Sequence, residues 1–311
     1  MVKAITVDQH GGLEVLKWED VEVGNPKEGE IRLKQKAIGV NFLDVYMRQG
    51  LYNQSPPLPF IPGMEGAGVV TAPASGFICQ ERILPAALAV PVPSSVDPVE
   101  AAAVIFKGLT AHVLINKGFK VERGHTILVH AAAGGVGSLL CQWANAIGAT
   151  VIGTVSTNEK AVQAKEDGCH HVILSKNEDF VERVMEITGG KGVEVVYDSV
   201  GKDTFRGSLA CLKKRGYMVV FGYASGEPDA VRIPEIAAKG LYLTFSSVTE
   251  YTIDNREELL VASEDLFSNV ANGVLKVRVN HKYPLSQASQ AHAAIESRKT
   301  TGSIVLIPDD E

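Results

Sequence analysis

The sequence predicts an α/β protein in which a doubly wound parallel sheet is joined to a small β-barrel. The first observation is a segment, residues 126–157, that reads as strand, glycine-rich turn, helix and strand. The second is that apolar runs alternate with helical segments from residue 126 onward, as in a parallel sheet covered by helices. The third is that residues 1–98 contain short alternating runs separated by Gly and Pro, which is typical of a barrel.

The first part of the chain is predicted to consist mostly of strands and loops. Its alternating runs are residues 4–7, 30–37, 66–71 and 82–85. A helix is predicted to start at Asp97 and Pro98 and to end near residue 105, and a second helix follows Gly108.

The next part is predicted to hold the six strands and the helices of a full doubly wound dinucleotide-binding fold. One helix spans residues 158–167 and is ended by Gly168. The last part is predicted to form a helix over residues 256–272 and a strand over 302–307, which are too few elements for a core of their own and therefore rejoin the first domain. The six predicted strands are residues 126–131, 150–155, 171–174, 194–198, 217–222 and 241–246.

The glycine-rich turn at residues 131–137 predicts a dinucleotide site. Glycines let the backbone turn tightly and approach a pyrophosphate without a Cβ in the way. Apolar residues then recur at helical spacing from Val136 to Ile147, and the start of that helix presents free N–H groups to phosphates. The alternative is a glycine-rich turn without a ligand, which a complete strand–turn–helix–strand unit disfavours.

The end of the second strand of this unit favours NADPH over NADH. The usual acid that binds the ribose 2′-hydroxyl is missing there, and the strand runs into Ser156, Thr157 and Lys160. Hydroxyl and ammonium donors suit a 2′-phosphate. The alternative is that Ser156 caps the next helix and Lys160 is a solvated surface lysine.

Composition excludes several classes of function. The net charge is −6 and no basic run is present, so neither a nucleic acid nor an anionic membrane is an expected partner. The first residues lack the apolar core of a signal peptide, and we expect no segment long enough to span a bilayer, so a cytoplasmic protein is expected. The four cysteines lack CxxC spacing, which argues against a zinc lobe or a disulfide framework, and Cys141 is expected in the core.

Several stretches together resemble one family. They are GVNFLDVY at residues 39–46, PGMEGAG at 62–68, KGLTA at 107–111, the glycine turn, VYDSVG at 196–201 and FG at 221–222. Over nearly its whole length the chain resembles the zinc-independent, zeta-crystallin-like quinone oxidoreductases of the medium-chain dehydrogenase/reductases. Zinc alcohol dehydrogenases of that superfamily carry Gly-His-Glu where this chain has Gly63, Met64 and Glu65, and a thioether does not replace imidazole at such a zinc site. No metal is therefore expected.

The resemblance implies a fold and an assembly. A GroES-like β-barrel domain (residues 1–108 and 250–311) would face a Rossmann domain (residues 109–249) with a six-stranded parallel sheet, and NADPH would lie in the cleft between them. Relatives of this kind are usually homodimers that extend the sheet through the cofactor domains, so the edge strand at 241–246 is the expected contact.

The resemblance also implies roles for individual residues. Asn41, Tyr46 and Tyr52 would line the cleft near the nicotinamide and act in catalysis. The alternative is structural: Asn41 and Asp44 would satisfy the backbone of a turn, and Tyr46 would be a core aromatic. The residues implied in cofactor binding are Asn41, Tyr46 and Thr110 near the nicotinamide, Gly134, Gly135 and Val136 at the pyrophosphate, Ser156 and Lys160 at the 2′-phosphate, Ser175 at the adenine ribose, Gly222, Tyr223, Ala224 and Ser247 at the nicotinamide side, and Arg298 from the tail.

Three departures from the family pattern affect these expectations. Between Thr71 and Cys79 the chain passes directly to Glu81, so a loop and most of one strand, about 15 residues by typical lengths, are expected to be absent. Ser175 stands where relatives often have Tyr or His, which weakens one NADPH contact. Phe245 and Ser246 replace a common Arg-Pro.

Three functions follow from the resemblance. The leading hypothesis is NADPH-dependent reduction of a quinone by hydride transfer without a metal. The second is reduction of the carbon–carbon double bond of a 2-alkenal or enone. The third is a non-catalytic, crystallin-like NADPH-binding protein or an impaired shortened form. The small-molecule acceptor remains open, and so does the choice between one- and two-electron reduction.

Overall fold

A computed structural model describes residues 1–52, 54–72 and 80–309, and these form two compact units. The first, here the barrel unit, comprises Met1–Lys107, Asn255–Ala271 and Val277–Glu311. The second, here the Rossmann unit, comprises Gly108–Asp254 and Asn272–Lys276.

The described residues up to Val113 include five strands and two α-helices, and the second helix continues past Lys107 into the Rossmann unit. The α1 helix begins at the N-cap Asn41, whose backbone N–H donates to the side chain of Asp44 while its carbonyl accepts the Asp44 N–H. The helix ends at Gly50 with φ +72°. The elements are β1 (Val2–Thr6), β2 (Lys17–Val21), β3 (Glu30–Val40), α1 (Phe42–Gln49), β4 (Glu65–Ala72), β5 (Glu81–Pro85) and α2 (Pro98–Val113).

The Rossmann unit alternates strands and helices, as predicted. Its elements are β6 (Thr126–Val129), α3 (Gly135–Ile147), β7 (Thr150–Val155), α4 (Asn158–Glu166), β8 (His171–Leu174), α5 (Phe180–Ile187), β9 (Val193–Asp198), α6 (Phe205–Cys211), β10 (Leu212–Val220), α7 (Ile233–Ala237) and β11 (Tyr242–Phe245).

The final part of the chain returns to the barrel unit. Its elements are α8 (Arg256–Ala271), β12 (Val279–Pro284), α9 (Ala288–Glu296) and β13 (Ser303–Ile307). The β13 strand pairs antiparallel with β3, with Ile304 opposite Val40, and parallel with β12. The sheet order is β12-β13-β3-β4, with β5 also paired to β3, while β1 and β2 form a separate antiparallel pair. The core under this sheet includes Ile5, Ile38 and Leu306.

The sheet of the Rossmann unit has six parallel strands in the order β8-β7-β6-β9-β10-β11. This is the 3-2-1-4-5-6 order of a doubly wound dinucleotide fold, so the predicted fold class is confirmed. The central strands β6, β7 and β9 are buried on both faces, and Leu128, Ile152 and Val196 have no exposed surface. Cys141 is also fully buried, as expected, and its Sγ lies 3.4 Å from that of Cys169, which is 5% exposed.

The predicted helix break at Gly108 is wrong. The α2 helix runs through Gly108 to Val113 and continues as a π-helical turn to Gly118. A glycine inside a helix costs only about 1 kcal/mol, and the burial of Leu109 and Ala111 on the same helix outweighs that cost.

The expectation that no segment is long enough to span a bilayer also needs correction. Among the described residues, Pro98–Gly118 is a 21-residue helix with a mean hydropathy of 1.4, which passes that test by length and composition. Since 67% of its apolar window is buried inside the protein, it has the character of a core helix.

Candidate active site

The glycine turn packs closely against the head of α3. Gly134 is the N-cap of this 13-residue helix and is extended, and its N–H donates to the carbonyl of Ala131 at 2.9 Å. A Cβ on Gly137 would lie 2.3 Å from the same carbonyl oxygen, so a side chain has no space there. The turn therefore brings Gly134, Gly135 and Val136 together at the N-terminus of α3, where the N–H groups of Gly135 and Val136 suit a pyrophosphate.

The residues after β7 form a second part of the candidate cofactor site. Thr157, not Ser156, caps α4, because its hydroxyl accepts the N–H of Lys160 at 3.3 Å. The alternative in which Ser156 is the cap is therefore wrong. The Lys160 side chain is half-buried, and burial together with the neighbouring charge of Lys176 lowers its pKa.

Lys176 is a residue that the sequence reasoning missed. Lys176 follows β8, and its positive charge disfavours the charged form of Lys160. Lys160 in the first turn of α4 and Lys176 after β8 thus place two positive charges near the carboxyl ends of neighbouring strands. Ser175 precedes Lys176, and its hydroxyl donates to the carbonyl of Val155 at 3.1 Å. The available signal was a lysine at the tip of a predicted strand.

Four of the expected nicotinamide-side residues follow β10 and β11. The Ala224 N–H donates to the carbonyl of Ser199 at 3.0 Å, and a Cβ on Gly222 would approach that oxygen to 3.2 Å. Burial raises the pKa of the Tyr223 hydroxyl. The Ser247 hydroxyl accepts a backbone N–H two residues on, at 3.2 Å. The structure thus collects these residues at the carboxyl edge of the sheet, where ligands of such folds bind.

A buried hydrogen-bond chain under this edge was not predicted. His130 follows β6, and its Nδ1 lies 2.9 Å from the hydroxyl of Thr154 while its Nε2 lies 2.9 Å from the hydroxyl of Ser208. The Ser208 hydroxyl also lies 2.9 Å from the carbonyl oxygen of Thr204 and 3.1 Å from Asp198 Oδ2. Burial lowers the pKa of His130. This chain joins the ends of β6, β7 and β9.

In the barrel unit, Asn41, which is a candidate for contact with the substrate, lies in a polar cluster. Asn41 is 6% exposed, its backbone N–H donates to Asp44 Oδ2 at 2.8 Å, and its Nδ2 donates to Glu65 Oε1 at 2.9 Å. The structural role that the sequence left open for Asn41 and Asp44 is therefore present. Lys107 pairs with Glu65, and neither residue is more than 5% exposed.

The remaining candidates are dispersed over both units. Tyr46 is 9% exposed and packs its ring 5.1 Å from that of Phe42. The Tyr52 hydroxyl donates to Gln54 at 2.9 Å. Arg298 follows α9 in the barrel unit with φ +55°, and Thr110 is buried on α2 in the Rossmann unit.

Met64, which stands where zinc relatives have histidine, packs into an apolar cluster with Val7, Val15, Met47 and Phe60. Within the described ranges no group of three or more His, Cys, Asp or Glu side chains is placed to hold a metal ion.

Comparison with known proteins bears on the shortened segment. The chain is 45% identical to quinone oxidoreductase 1 of Escherichia coli, over 99% of this chain and all of that protein. That alignment has 329 positions, and this chain has 311 residues, so at least 18 aligned positions have no residue here. The expected shortening falls between β4, which ends at Ala72, and β5, which begins at Glu81, and both strands pair with β3. Residues 73–79 lie outside the described part of the chain.

The other comparisons agree on the family. Residues 27–91 match the alcohol dehydrogenase GroES-like domain, and residues 135–263 match the zinc-binding dehydrogenase family. The 2-haloacrylate reductase of a Burkholderia species is 43% identical over 99% of both chains. The crystal structure of E. coli quinone oxidoreductase complexed with NADPH superposes with a TM-score of 0.94 at 44% identity, covering 98% of this chain and all of that one. From its turn geometry, sheet order and these matches, the chain belongs to the quinone oxidoreductase family of the medium-chain dehydrogenase/reductases.

Proposed function

We propose that this protein reduces quinones with NADPH by hydride transfer and without a metal ion. The observation that carries the proposal is full-length similarity to a quinone oxidoreductase whose crystal structure contains NADPH, together with the glycine turn at the head of α3. In the balanced reaction, one quinone, one NADPH and one proton give one hydroquinone and one NADP⁺. Bound NADPH supplies the hydride.

The residues that would hold the cofactor fit its charge. In the turn formed by Gly134, Gly135 and Val136, the N–H groups of Gly135 and Val136 suit the pyrophosphate. Lys160 with Lys176 suits a 2′-phosphate, because the anion would offset the repulsion between two cations. The other residues proposed to bind it are Asn41, Tyr46, Thr110, Ser156, Ser175, Gly222, Tyr223, Ala224, Ser247 and Arg298.

Asn41, Tyr46 and Tyr52 are proposed to meet the acceptor. An amide N–H and phenol hydroxyls donate to a quinone oxygen and stabilise the negative charge that develops there during hydride transfer. A tyrosine hydroxyl is also a proton source for the reduced oxygen. Because catalysis by hydride transfer is largely orientation and exclusion of water, these donors must be held rigidly.

Reduction of an activated carbon–carbon double bond is the second candidate. The observation that favours it is the 43% identity to 2-haloacrylate reductase over nearly the full length of both chains. The same cofactor site serves both reactions, so only the acceptor distinguishes them.

The experiment is NADPH consumption by the purified full chain against a naphthoquinone, phenanthrenequinone, a 2-alkenal and a 2-haloacrylate, with NADH in parallel. We expect turnover to be fastest with a quinone and to prefer NADPH. Faster turnover of the unsaturated compounds would favour the second candidate, and NADPH binding without oxidation by any acceptor would favour the non-catalytic one. Equal KM values for NADPH and NADH would contradict the cofactor assignment.

The proposal extends to the assembly. We take the barrel unit as the GroES-like catalytic domain, the Rossmann unit as the cofactor domain, and the protein as a cytoplasmic homodimer. The edge strand β11 supports the dimer, since Tyr242 and Phe245 on it are 51% and 54% exposed.

A further inference from the structure

Four polar side chains form a buried cluster behind the start of α1. Asn41, Asp44, Glu65 and Lys107 are 6%, 0%, 2% and 5% exposed. They come from α1, from the first residue of β4 and from α2, all within the barrel unit. Charged groups with so little access to water are costly unless each is paired. The hydrogen bonds and ion pairs of each group therefore determine whether it is charged.

Glu65 is fully engaged and fixed in place. Its Oε2 accepts the backbone N–H of Phe106 at 2.8 Å, and its Oε1 accepts Asn41 Nδ2 and Lys107 Nζ. A Cβ on Gly39 would lie 2.3 Å from Oε1, so glycine makes the room that this carboxylate occupies. Since a carboxylate only accepts, the nitrogen of the Asn41 amide must face Glu65 and its orientation is determined.

Asp44 is the group that is left without a full set of partners. Its Oδ2 accepts the N–H of Asn41, while its Oδ1 has no hydrogen-bond partner in the described ranges. The charged groups that act on it are Lys107 of α2 and Glu65 of β4.

On the helix of Asp44 itself, the cation Arg48 pairs with Glu296 of α9. Burial raises the pKa of Asp44 to about 7, although the Asn41 N–H and Lys107 oppose the rise, and Glu65 adds to it. A carboxyl with its pKa in this range responds to small changes in the charges around it.

We propose that the Glu65–Lys107 pair is a positioning pair for acceptor reduction, which orients the Asn41 amide and controls whether Asp44 carries a charge. This inference rests on the proposed function, in which Asn41 donates to the acceptor oxygen. Hydride transfer builds negative charge on that oxygen, and an ionised Asp44 bonded to the Asn41 backbone opposes it. Turnover is therefore highest with Asp44 protonated and falls as the pH rises through its titration.

The test is the pH profile of quinone turnover at saturating NADPH. Lys107→Met removes the cation that favours ionised Asp44, so the decrease in turnover at high pH, here the falling limb, moves to higher pH in this variant. Glu65→Gln removes the anion that disfavours it, so the limb moves to lower pH. Each shift is expected to be roughly half a pH unit or more. Asp44→Asn keeps an acceptor for the Asn41 N–H and is expected to lose the limb. Lys36→Met, a matched charge change at an exposed position of β3, leaves the limb in place.

A second readout separates positioning from a merely structural role. For Glu65→Gln we expect the acceptor kcat/KM to fall roughly tenfold while KM for NADPH stays within about twofold. A structural role alone would lower the melting temperature and leave the limb unmoved. If Lys107→Met does not fold, Glu65→Gln and Asp44→Asn still decide the matter.

An active wild-type protein whose limb survives in Asp44→Asn, or does not move in Glu65→Gln, would overturn the inference and leave the proposed function standing. A wild-type protein that reduces no acceptor would overturn both.

Discussion

The glycine turn at the head of α3 and the polar cluster behind α1 hold charge in opposite ways. The turn uses backbone N–H groups from one short stretch, and its shape depends on a missing side chain at Gly137. The cluster uses charged side chains from three separate elements, and its behaviour depends on an excess of one acid, Asp44, over the Glu65–Lys107 pair. An added side chain should therefore disrupt the glycine turn, whereas a change of charge should disrupt the polar cluster.

Filling the turn is expected to have the largest effect. Gly137→Ala places a Cβ 2.3 Å from the Ala131 carbonyl oxygen, so the turn must move. We expect NADPH affinity to fall by roughly 100-fold or more, which corresponds to about 2.7 kcal/mol. Gly134→Ala is the matched control, because its Cβ would stand 3.2 Å from the same oxygen and is expected to cost under about tenfold. Fluorescence titration with NADPH measures both, and equal losses would show that the turn is not shaped by this contact.

Changing the charge of the cluster should alter stability with pH. The pKa of Asp44 is raised by burial from 3.8 to about 7, so the folded state binds its proton more tightly, and stability falls as the pH rises over that window and is level above it. Asp44→Asn removes this dependence. Relative to wild type, the variant should gain roughly 2–3 kcal/mol between about pH 5 and about pH 8. Urea unfolding at the two pH values measures the difference, and parallel curves for the two proteins would contradict it.

Charge also enters the cofactor side through Lys160 and Lys176. Replacing Lys176 by alanine removes one cation of this pair, so we expect KM for NADPH to rise about tenfold and KM for NADH to stay unchanged. The exposed Lys165 of α4, replaced in the same way, serves as the control. An equal rise for both cofactors would place Lys176 away from the 2′-phosphate.

The smallest expected effect concerns a single hydroxyl in the barrel unit. Tyr46→Phe keeps the buried ring that packs on Phe42. We expect kcat to fall by roughly threefold to tenfold, with little change in NADPH affinity. Steady-state kinetics with a quinone measure this, and unchanged turnover would remove Tyr46 from the mechanism.

The sequence predicted the Rossmann unit better than the barrel unit. Each buried strand of a parallel sheet is a continuous apolar run, so all six were found, two of them (Thr150–Val155 and His171–Leu174) with the observed bounds. Helix α1 and strands β2 and β12 were missed. The capping pattern of Asn41 and Asp44 was a usable local signal for α1. The exposed residues are Lys17, Glu19 and Asp20 in β2 and Asn280, Lys282 and Pro284 in β12, so neither strand contains a continuous apolar run.

The same difference applies to the candidate site. The turn was recognisable because its residues are contiguous and its glycines have a steric purpose. Lys176, His130 and the Glu65–Lys107 pair were not, because each acquires its role from a partner distant in the sequence. A pKa near neutrality at Asp44 requires burial, which only the tertiary structure reveals.

The three cysteines within the described ranges, Cys141, Cys169 and Cys211, are all buried and all belong to the Rossmann unit. Their reaction with a thiol reagent can therefore be used to measure how often that unit opens. With Cys79, which lies outside the described part of the chain, replaced by serine, a thiol reagent can react only when the unit opens, so the labelling rate under native conditions reports the free energy of opening. If NADPH binds this unit, the labelling rate of the buried thiols should fall as the occupancy of the cofactor site rises.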